Sequence, residues 1–381
     1  MPTYKFPFQS KLPEVPTSIF SVMSALAHKE NALNLSQGFP DFESDKKLIE
    51  LVNKAMVSGK NQYAPMPGIF TLRQAIANKM EYLYGVSYNP ETEITITAGA
   101  TQAIFTAIAA TVKKDDEVLI FKPAYDCYEP TIELFGGKVI SVQLDPEDFK
   151  IDWKLVKSLI SEKTRMIIVN TPHNPSGRIL SAIDMLQLEN ILKDTNILLL
   201  SDEVYEHIIF DDEIHQTAAL YPALSERTFI TASFGKTFHN TGWKVGYCLA
   251  PKELMAEFRK VHQFNVFSVN HPTQVALSEY LKTPSNYLDL NNFYQQKRDL
   301  FLSLIKDARF EFTPSKGTYF QLLNFKNITK ENDYDFAIRL TKEQKIASIP
   351  ISVFNENNLD TKVLRFCFAK KDDTIKKAAE I

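Results

Sequence analysis

The strongest constraint on the fold is a repeated alternation that begins near residue 94. Short, continuously apolar runs are each followed by a small or polar turn and then by an amphipathic stretch. Met166-Ile167-Ile168-Val169 and Ile197-Leu198-Leu199-Leu200 carry no polar residue. A strand with one wet face alternates apolar and polar side chains, whereas a run apolar on both sides suits a parallel strand covered by helices on both faces. The same reading gives strands over Ile94–Thr97, Val118–Phe121, Met166–Asn170, Ile197–Ser201, Thr228–Ala232 and Gly246–Ala250. Helices are expected over Thr101–Thr111, Trp153–Leu159 and Ala182–Leu192. The pattern predicts a three-layer α/β/α fold on a mainly parallel sheet.

Outside this block the pattern changes. Pro7, Pro13 and Pro16 keep the start irregular, and Ile19–Ala27 is apolar-periodic. The last third reads as one long helical stretch, roughly Gln274–Ala308, followed by Gly317–Asn324, a helix near Tyr334–Glu343, a strand at Val363–Ala369, and Asp373–Glu380 as the beginning of a final helix. We expect an N-terminal segment (1–40), a large domain (41–280) and a smaller α+β domain (281–381).

Composition narrows the function classes. Of the 381 residues, 44% are hydrophobic, enough for a large core, and the net charge of −3 comes without a basic block, which argues against nucleic acid as the main partner. Cys127, Cys248 and Cys367 lie far apart and are odd in number, so neither a disulfide framework nor a metal site is expected. No apolar run approaches the ~18 residues of a membrane span. The start Met1-Pro2-Thr3-Tyr4-Lys5-Phe6 has no signal-peptide core. The expectation is a cytoplasmic protein without a membrane partner.

The polar punctuation falls where the strands end, the place where ligands bind in open α/β sheets. Ala98-Gly99-Ala100-Thr101 opens a helix, whose N-terminus favours an anion. Lys122-Pro123-Ala124-Tyr125, Thr171-Pro172-His173-Asn174-Pro175, Asp202-Glu203-Val204-Tyr205 and Ser233-Phe234-Gly235-Lys236 follow the other strands. Taken singly, Lys236 suits a surface loop, Asp202 a helix cap and Tyr205 a core tyrosine. Together they supply an amine, a carboxylate, a phenol, an amide (Asn174), an aromatic plate (Tyr125) and an anion cradle (Ala100, Thr101, Ser233, Lys244). A phosphorylated pyridinium aldehyde would use every one of them. Arg365, on the apolar strand Val363–Phe368, needs a planar anionic partner, either a substrate carboxylate or an internal acid.

With Asn34-Leu35-Ser36-Gln37-Gly38-Phe39-Pro40-Asp41, Asn61-Gln62-Tyr63, Gly317-Thr318-Tyr319-Phe320 and Arg365-Phe366-Cys367-Phe368 added, the motifs run from residue 34 to 368. The chain resembles the class I, fold-type I pyridoxal-phosphate aminotransferases, in particular the methionine and kynurenine (glutamine/phenylpyruvate-type) branch. The resemblance implies pyridoxal 5'-phosphate as cofactor, with Lys236 forming the Schiff base and then acting as general base. It implies Asp202 on the ring nitrogen, Asn174 and Tyr205 on the ring oxygen, and Tyr125 stacked on the ring. Ala100, Thr101, Ser233 and Lys244 would hold the phosphate, with Tyr63 from a second subunit of a homodimer. Gly38, Asn174 and Arg365 would take the substrate carboxylate, and Phe20, Tyr63 and Tyr125 would line the substrate pocket. Cis bonds at Asn174-Pro175 and Lys122-Pro123 are implied too. Lys244 departs from the arginine that aspartate aminotransferases carry, so a bidentate grip on phosphate is lost.

The stretch His262–Asn270, the region expected to reach over the neighbouring pocket, contains Phe264 and Phe267 but no arginine or lysine. This favours a neutral donor, methionine first, with an aromatic amino acid or kynurenine next. The same groups would serve a cysteine-S-conjugate β-lyase. A non-catalytic cofactor-binding regulator would need a DNA-binding domain that residues 1–40 are too short to supply.

Overall fold

The computed structural model describes residues 2–381. Its centre is a seven-stranded sheet of β1 (Ile94–Thr97), β2 (Glu117–Lys122), β3 (Lys138–Gln143), β4 (Thr164–Asn170), β5 (Leu198–Asp202), β6 (Thr228–Ser233) and β7 (Gly246–Leu249). The spatial order is β1-β7-β6-β5-β4-β2-β3. Neighbours from β6 to β3 run parallel, and β7 is antiparallel to both β1 and β6. Because β7 alone is reversed, β1 and the parallel strands all end at the same edge.

Every residue of β1 and β5 is buried, as expected for strands covered on both faces. Two apolar clusters fill the two sides. One contains Ile104, Ile108 and Phe258, and the other Leu199, Ile230 and Leu249. The strand β3 escaped the sequence reading because its burial is partial and its apolar residues, Val139, Ile140 and Val142, are interleaved with Lys138, Ser141 and Gln143. That is the expected pattern for an edge strand.

The expected long helix over 274–308 is three pieces: His271–Tyr280, Ser285–Leu288 and Leu290–Leu304. The break has a local cause. Pro284 disfavours helix in the residue before it, and Asn286 Nδ2 donates to the Tyr280 carbonyl (2.8 Å), closing the turn. The helix near 334–343 is α-helical over Asp333–Arg339 and a π-turn over Leu340–Gln344.

A second sheet joins Phe320–Asn324, Ile349–Pro350 and Val363–Cys367 in antiparallel pairs. The chain start is tied to this region, since Leu33–Asn34 pairs in parallel with Ile346–Ala347. These contacts bring the Ser36–Asp41 loop and Arg365 to the edge where the large sheet's strands end. Cis peptide bonds occur at Lys122-Pro123, Thr171-Pro172 and Asn174-Pro175, the second of which the resemblance did not anticipate. Among the described residues, no helix is long and apolar enough to cross a membrane.

Candidate active site

The strand ends enclose one cavity. Its walls include Ala100, Thr101, Tyr125, Asn174, Asp202, Tyr205, Ser233, Lys236 and Lys244. Eight residues singled out from five separate strand-end turns thus meet at one place, joined by Lys244 from the turn before β7.

Lys236 lies in the single helical turn Phe234–Thr237 that follows β6. Its Nζ donates to the Gly38 carbonyl at 3.1 Å and lies 5.8 and 5.7 Å from the Tyr205 and Tyr319 ring centres. Burial pushes the amine down to about 8, helped by the positive charges of Arg365 and Lys244. A lysine in water is almost entirely ammonium at neutral pH. At pH 7.5 this one has roughly a quarter of its population as free amine, by the arithmetic of a pKa near 8.

Asp202 ends β5 and is buried. It accepts a hydrogen bond from Tyr128 Oη (2.6 Å) and a longer one from the Val204 N–H (3.4 Å). Burial nevertheless raises its carboxyl to about 6, against the pull of those two donors. Among the described residues it has no ion-pair partner. Lys244 is the mirror case. It is held in the left-handed region (φ 55°) after the turn Thr241–Trp243, and its Nζ would lie 3.4 Å from a Cβ added at Gly99. No described acid pairs with it. The cavity therefore contains a carboxylate without a cation and, beside a helix N-terminus, a cation without an anion. A ligand with a protonated ring nitrogen at one end and a phosphate at the other satisfies both, and the donor set fits pyridoxal phosphate.

The Ala100–Thr111 helix begins at Gly99 (φ 81°), a backbone position that side chains other than glycine's rarely adopt. Tyr125 Oη is 3.4 Å from Thr101 Oγ1. Tyr205 is buried, with its ring edge-on to Tyr319 at 5.2 Å, and its phenol is pushed up by desolvation.

Arg365 lies on its strand fully buried, without a carboxylate partner among the described residues. Its two terminal nitrogens donate to Asn174 Oδ1 (2.8 Å) and the Ser36 carbonyl (2.9 Å), while Nε is buried with no partner. The guanidinium lies over the Phe320 and Phe20 rings, 3.9 and 5.2 Å from their centroids. The internal salt bridge that the sequence left open is absent among the described residues, which favours an anionic ligand. Gly38 completes this corner. Its carbonyl also accepts from Tyr319 Oη (2.5 Å), and a Cβ there would come within 2.8 Å of Phe320.

Tyr63 is the residue this chain does not bring in. It is 80% exposed and packs edge-on against Phe267 at 5.2 Å, away from the cavity walls. Other contributors carried no assigned role in the sequence reading. Tyr128 braces Asp202; its spacing of three from Tyr125 at a helix start was the available signal. Asn170, the last residue of β4, accepts from the Asn174 N–H (2.8 Å) and donates to the Asp202 carbonyl (2.9 Å). Tyr319 sat inside a quoted motif. Its contact with Gly38 spans 281 positions, and no local pattern reveals that.

Comparison with known proteins agrees with this geometry. Residues 30–381 match the family of aminotransferases of class I and II. A methionine aminotransferase from Escherichia coli is 47% identical over 98% of this chain and 97% of its own. Its solved structure superposes with a TM-score of 0.97, covering 99% of both chains. The solved N-succinyldiaminopimelate aminotransferase of Mycobacterium tuberculosis is 35% identical, with a TM-score of 0.94 over 98% of each chain. The kynurenine–oxoglutarate transaminase of Dictyostelium discoideum is 32% identical over 99% of this chain and 96% of its own. The chain belongs to the class I and II aminotransferases and is a fold-type I enzyme that uses pyridoxal 5'-phosphate.

Proposed function

We propose that the enzyme takes the amino group from a neutral amino acid, methionine first, and passes it to a 2-oxo acid. The observation that carries this reading is the pairing of unmatched charges: buried Asp202 at one end of the cavity, Lys244 at the other, and buried Arg365 at its mouth. Pyridoxal phosphate, when bound, supplies an aldehyde that condenses with amines and a protonated ring that accepts the electrons released at the α-carbon. Asp202 holds the proton on the ring nitrogen. Asn174, whose Oδ1 is committed to Arg365, offers its amide N–H groups to the ring oxygen together with the Tyr205 phenol. Tyr125 covers one face of the ring. The N-terminal amides of Ala100 and Thr101, Ser233 and Lys244 hold the phosphate.

Arg365 takes the substrate carboxylate between the Phe20 and Phe320 rings, with Asn174 and the Gly38 turn beside it. Docking the carboxylate there would fix the α-carbon, and Lys236 would be the base whose Nζ accepts the α-proton. An amine pushed down to about 8 can carry and return that proton near neutral pH.

The assembly belongs to the same reading. Phe264 is 90% exposed, Phe267 42% and Tyr63 80%. An exposed aromatic group of this kind suits a subunit interface. We infer a homodimer in which Tyr63 reaches the partner's phosphate site. Sedimentation should give a dimer, and Tyr63→Ala should weaken cofactor retention on dialysis about tenfold. A fully active monomer removes the shared site. The three cysteines, all free, accord with a cytoplasmic enzyme.

The donor class follows from what the pocket lacks. Phe20 is the aromatic group over Arg365, and the 262–270 stretch, which would reach over the neighbouring subunit's pocket, holds no arginine or lysine, so a distal carboxylate would be desolvated without a partner, whereas a methionine side chain gains roughly 1.5–3 kcal/mol from burial. The Escherichia coli relative is a methionine aminotransferase. Specificity constants for methionine, phenylalanine, kynurenine and aspartate, measured with one acceptor, should place methionine above aspartate by at least roughly tenfold. Aspartate in first place would remove the neutral-donor reading. Pyruvate release from a cysteine conjugate would reveal elimination at the same site.

A further inference from the structure

Asp126 is an acid at the mouth of the site that the chemistry above does not use. It follows Tyr125 in the loop after β2 and is exposed. Its Oδ2 accepts from Ser18 Oγ at 3.2 Å, a contact spanning 108 positions. Ser18 is the residue before the Ile19–Lys29 helix, and Phe20, two residues on, covers Arg365. The tether therefore fixes the Asp126 carboxylate beside the ring that covers the guanidinium. Desolvation raises the Asp126 carboxyl above its ordinary value, against the pull of the Ser18 hydrogen bond and of the Arg365 charge.

The other cations nearby are committed or assigned elsewhere. Lys122 pairs with Glu129 (2.9 Å) and Glu356 (3.1 Å), Lys244 faces the phosphate cradle, and Lys236 carries the chemistry. Among these described residues, Arg365 is thus the cation left free at the mouth and Asp126 the anion. A substrate's α-carboxylate takes the cation. A second carboxylate on the side chain then meets Asp126 with no positive charge to offset it, whereas a neutral side chain does not. Like charges brought together without a counter-ion select against the wrong ligand.

We propose that Asp126 is a specificity-determining residue that rejects donors with an acidic side chain by charge repulsion. The proposal rests on the neutral-donor reading given above and names the side chain that enforces it.

The test uses the holoenzyme at pH 8, one acceptor, and donors of similar length and different charge: norleucine and methionine (neutral), glutamate (anionic) and lysine (cationic). Asp126→Asn should raise the glutamate-to-methionine ratio of kcat/KM at least tenfold and lower the lysine-to-norleucine ratio. Added salt should shrink the wild-type discrimination and leave that of the variant nearly flat. Ser18→Ala removes the tether but keeps the charge, and should leave both ratios within about threefold of wild type. Asp126→Ser serves as a second neutral variant. Equal loss for every donor in Asp126→Asn, or ratios that move as far in Ser18→Ala, would show a structural role and overturn the proposal. A wild type that prefers glutamate to methionine would instead remove the neutral-donor reading, which the ratios in the variants do not depend on.

Discussion

Lys236→Ala should leave a folded dimer with transamination reduced by roughly three orders of magnitude or more, because one side chain carries two tasks. It is the amine that attaches the cofactor, and it is the base that moves the α-proton. The wild type should be yellow and should lose its long-wavelength absorbance on treatment with borohydride, leaving a mass increment on the peptide that contains Lys236. The variant should hold cofactor only reversibly and give no such peptide. The position also fixes a pH signature. Burial pushes the amine down to about 8, so its nucleophilic form fills in between pH 7 and 9, about two units below the range of a lysine in water. Cofactor loading of the cofactor-free enzyme should accelerate with pH and level off above about 9. A rate still climbing at pH 10 would show an ordinary, solvated lysine. An active Lys236→Ala variant would assign both tasks elsewhere.

Much of this site was readable without coordinates because of where parallel strands end. A strand such as Leu198–Asp202 is apolar up to the residue where it leaves the core, so the first polar residues mark the sheet edge. Asp202, Ser233 and Asn170 are the last residues of their strands. The topology then turns five sequence-distant turns into neighbours. The long helix expected over 274–308 failed for a related reason. Apolar periodicity continues across Leu281–Pro284, and only the proline and the Asn286 cap show that the chain turns there. The edge strand Lys138–Gln143 was invisible because partial exposure mixes polar residues into it.

The contacts that brace the site residues were hidden for a different reason. Tyr319 on Gly38 and the Ser36 carbonyl on Arg365 join residues 281 and 329 positions apart. No periodicity encodes such contacts, since they depend on how the second sheet docks. Arg365 is the instructive intermediate case. Its strand position predicted burial, while the choice between an internal acid and a ligand needed the finding that Nε has no partner. Tyr63 marks a further boundary, because a residue proposed to act in the neighbouring subunit is not among the walls of its own chain's cavity.

Asp202→Asn should separate stability from function with opposite signs. The carboxyl is raised from its ordinary value near 3.8 to about 6 by burial, so between those values the folded chain binds more protons than the unfolded one. A group raised in this way loses stability as pH rises, here from about pH 4 to about 6, and the deficit then persists at higher pH. A shift of that size corresponds to at most about 3 kcal/mol. Asparagine has the same shape, can still accept from Tyr128 Oη, and leaves no charge to desolvate. The cofactor-free variant should therefore be more stable than the cofactor-free wild type at pH 8, by up to about 2–3 kcal/mol in denaturant melts, with the gap shrinking toward pH 5. Loading the cofactor should reverse the order, because the wild-type carboxylate then has a cation to meet and the amide does not. Activity should fall by roughly three orders of magnitude, because an amide does not hold the proton on the ring nitrogen as a carboxylate does. A cofactor-free variant that is less stable, by an amount independent of pH, would show that Asp202 is an ordinary satisfied buried acid. Near-normal turnover would show that a different acid faces the ring. The stability cost of an unmatched carboxylate in the empty site is what gives that carboxylate its grip on a bound cation, and the two melts measure both sides of it.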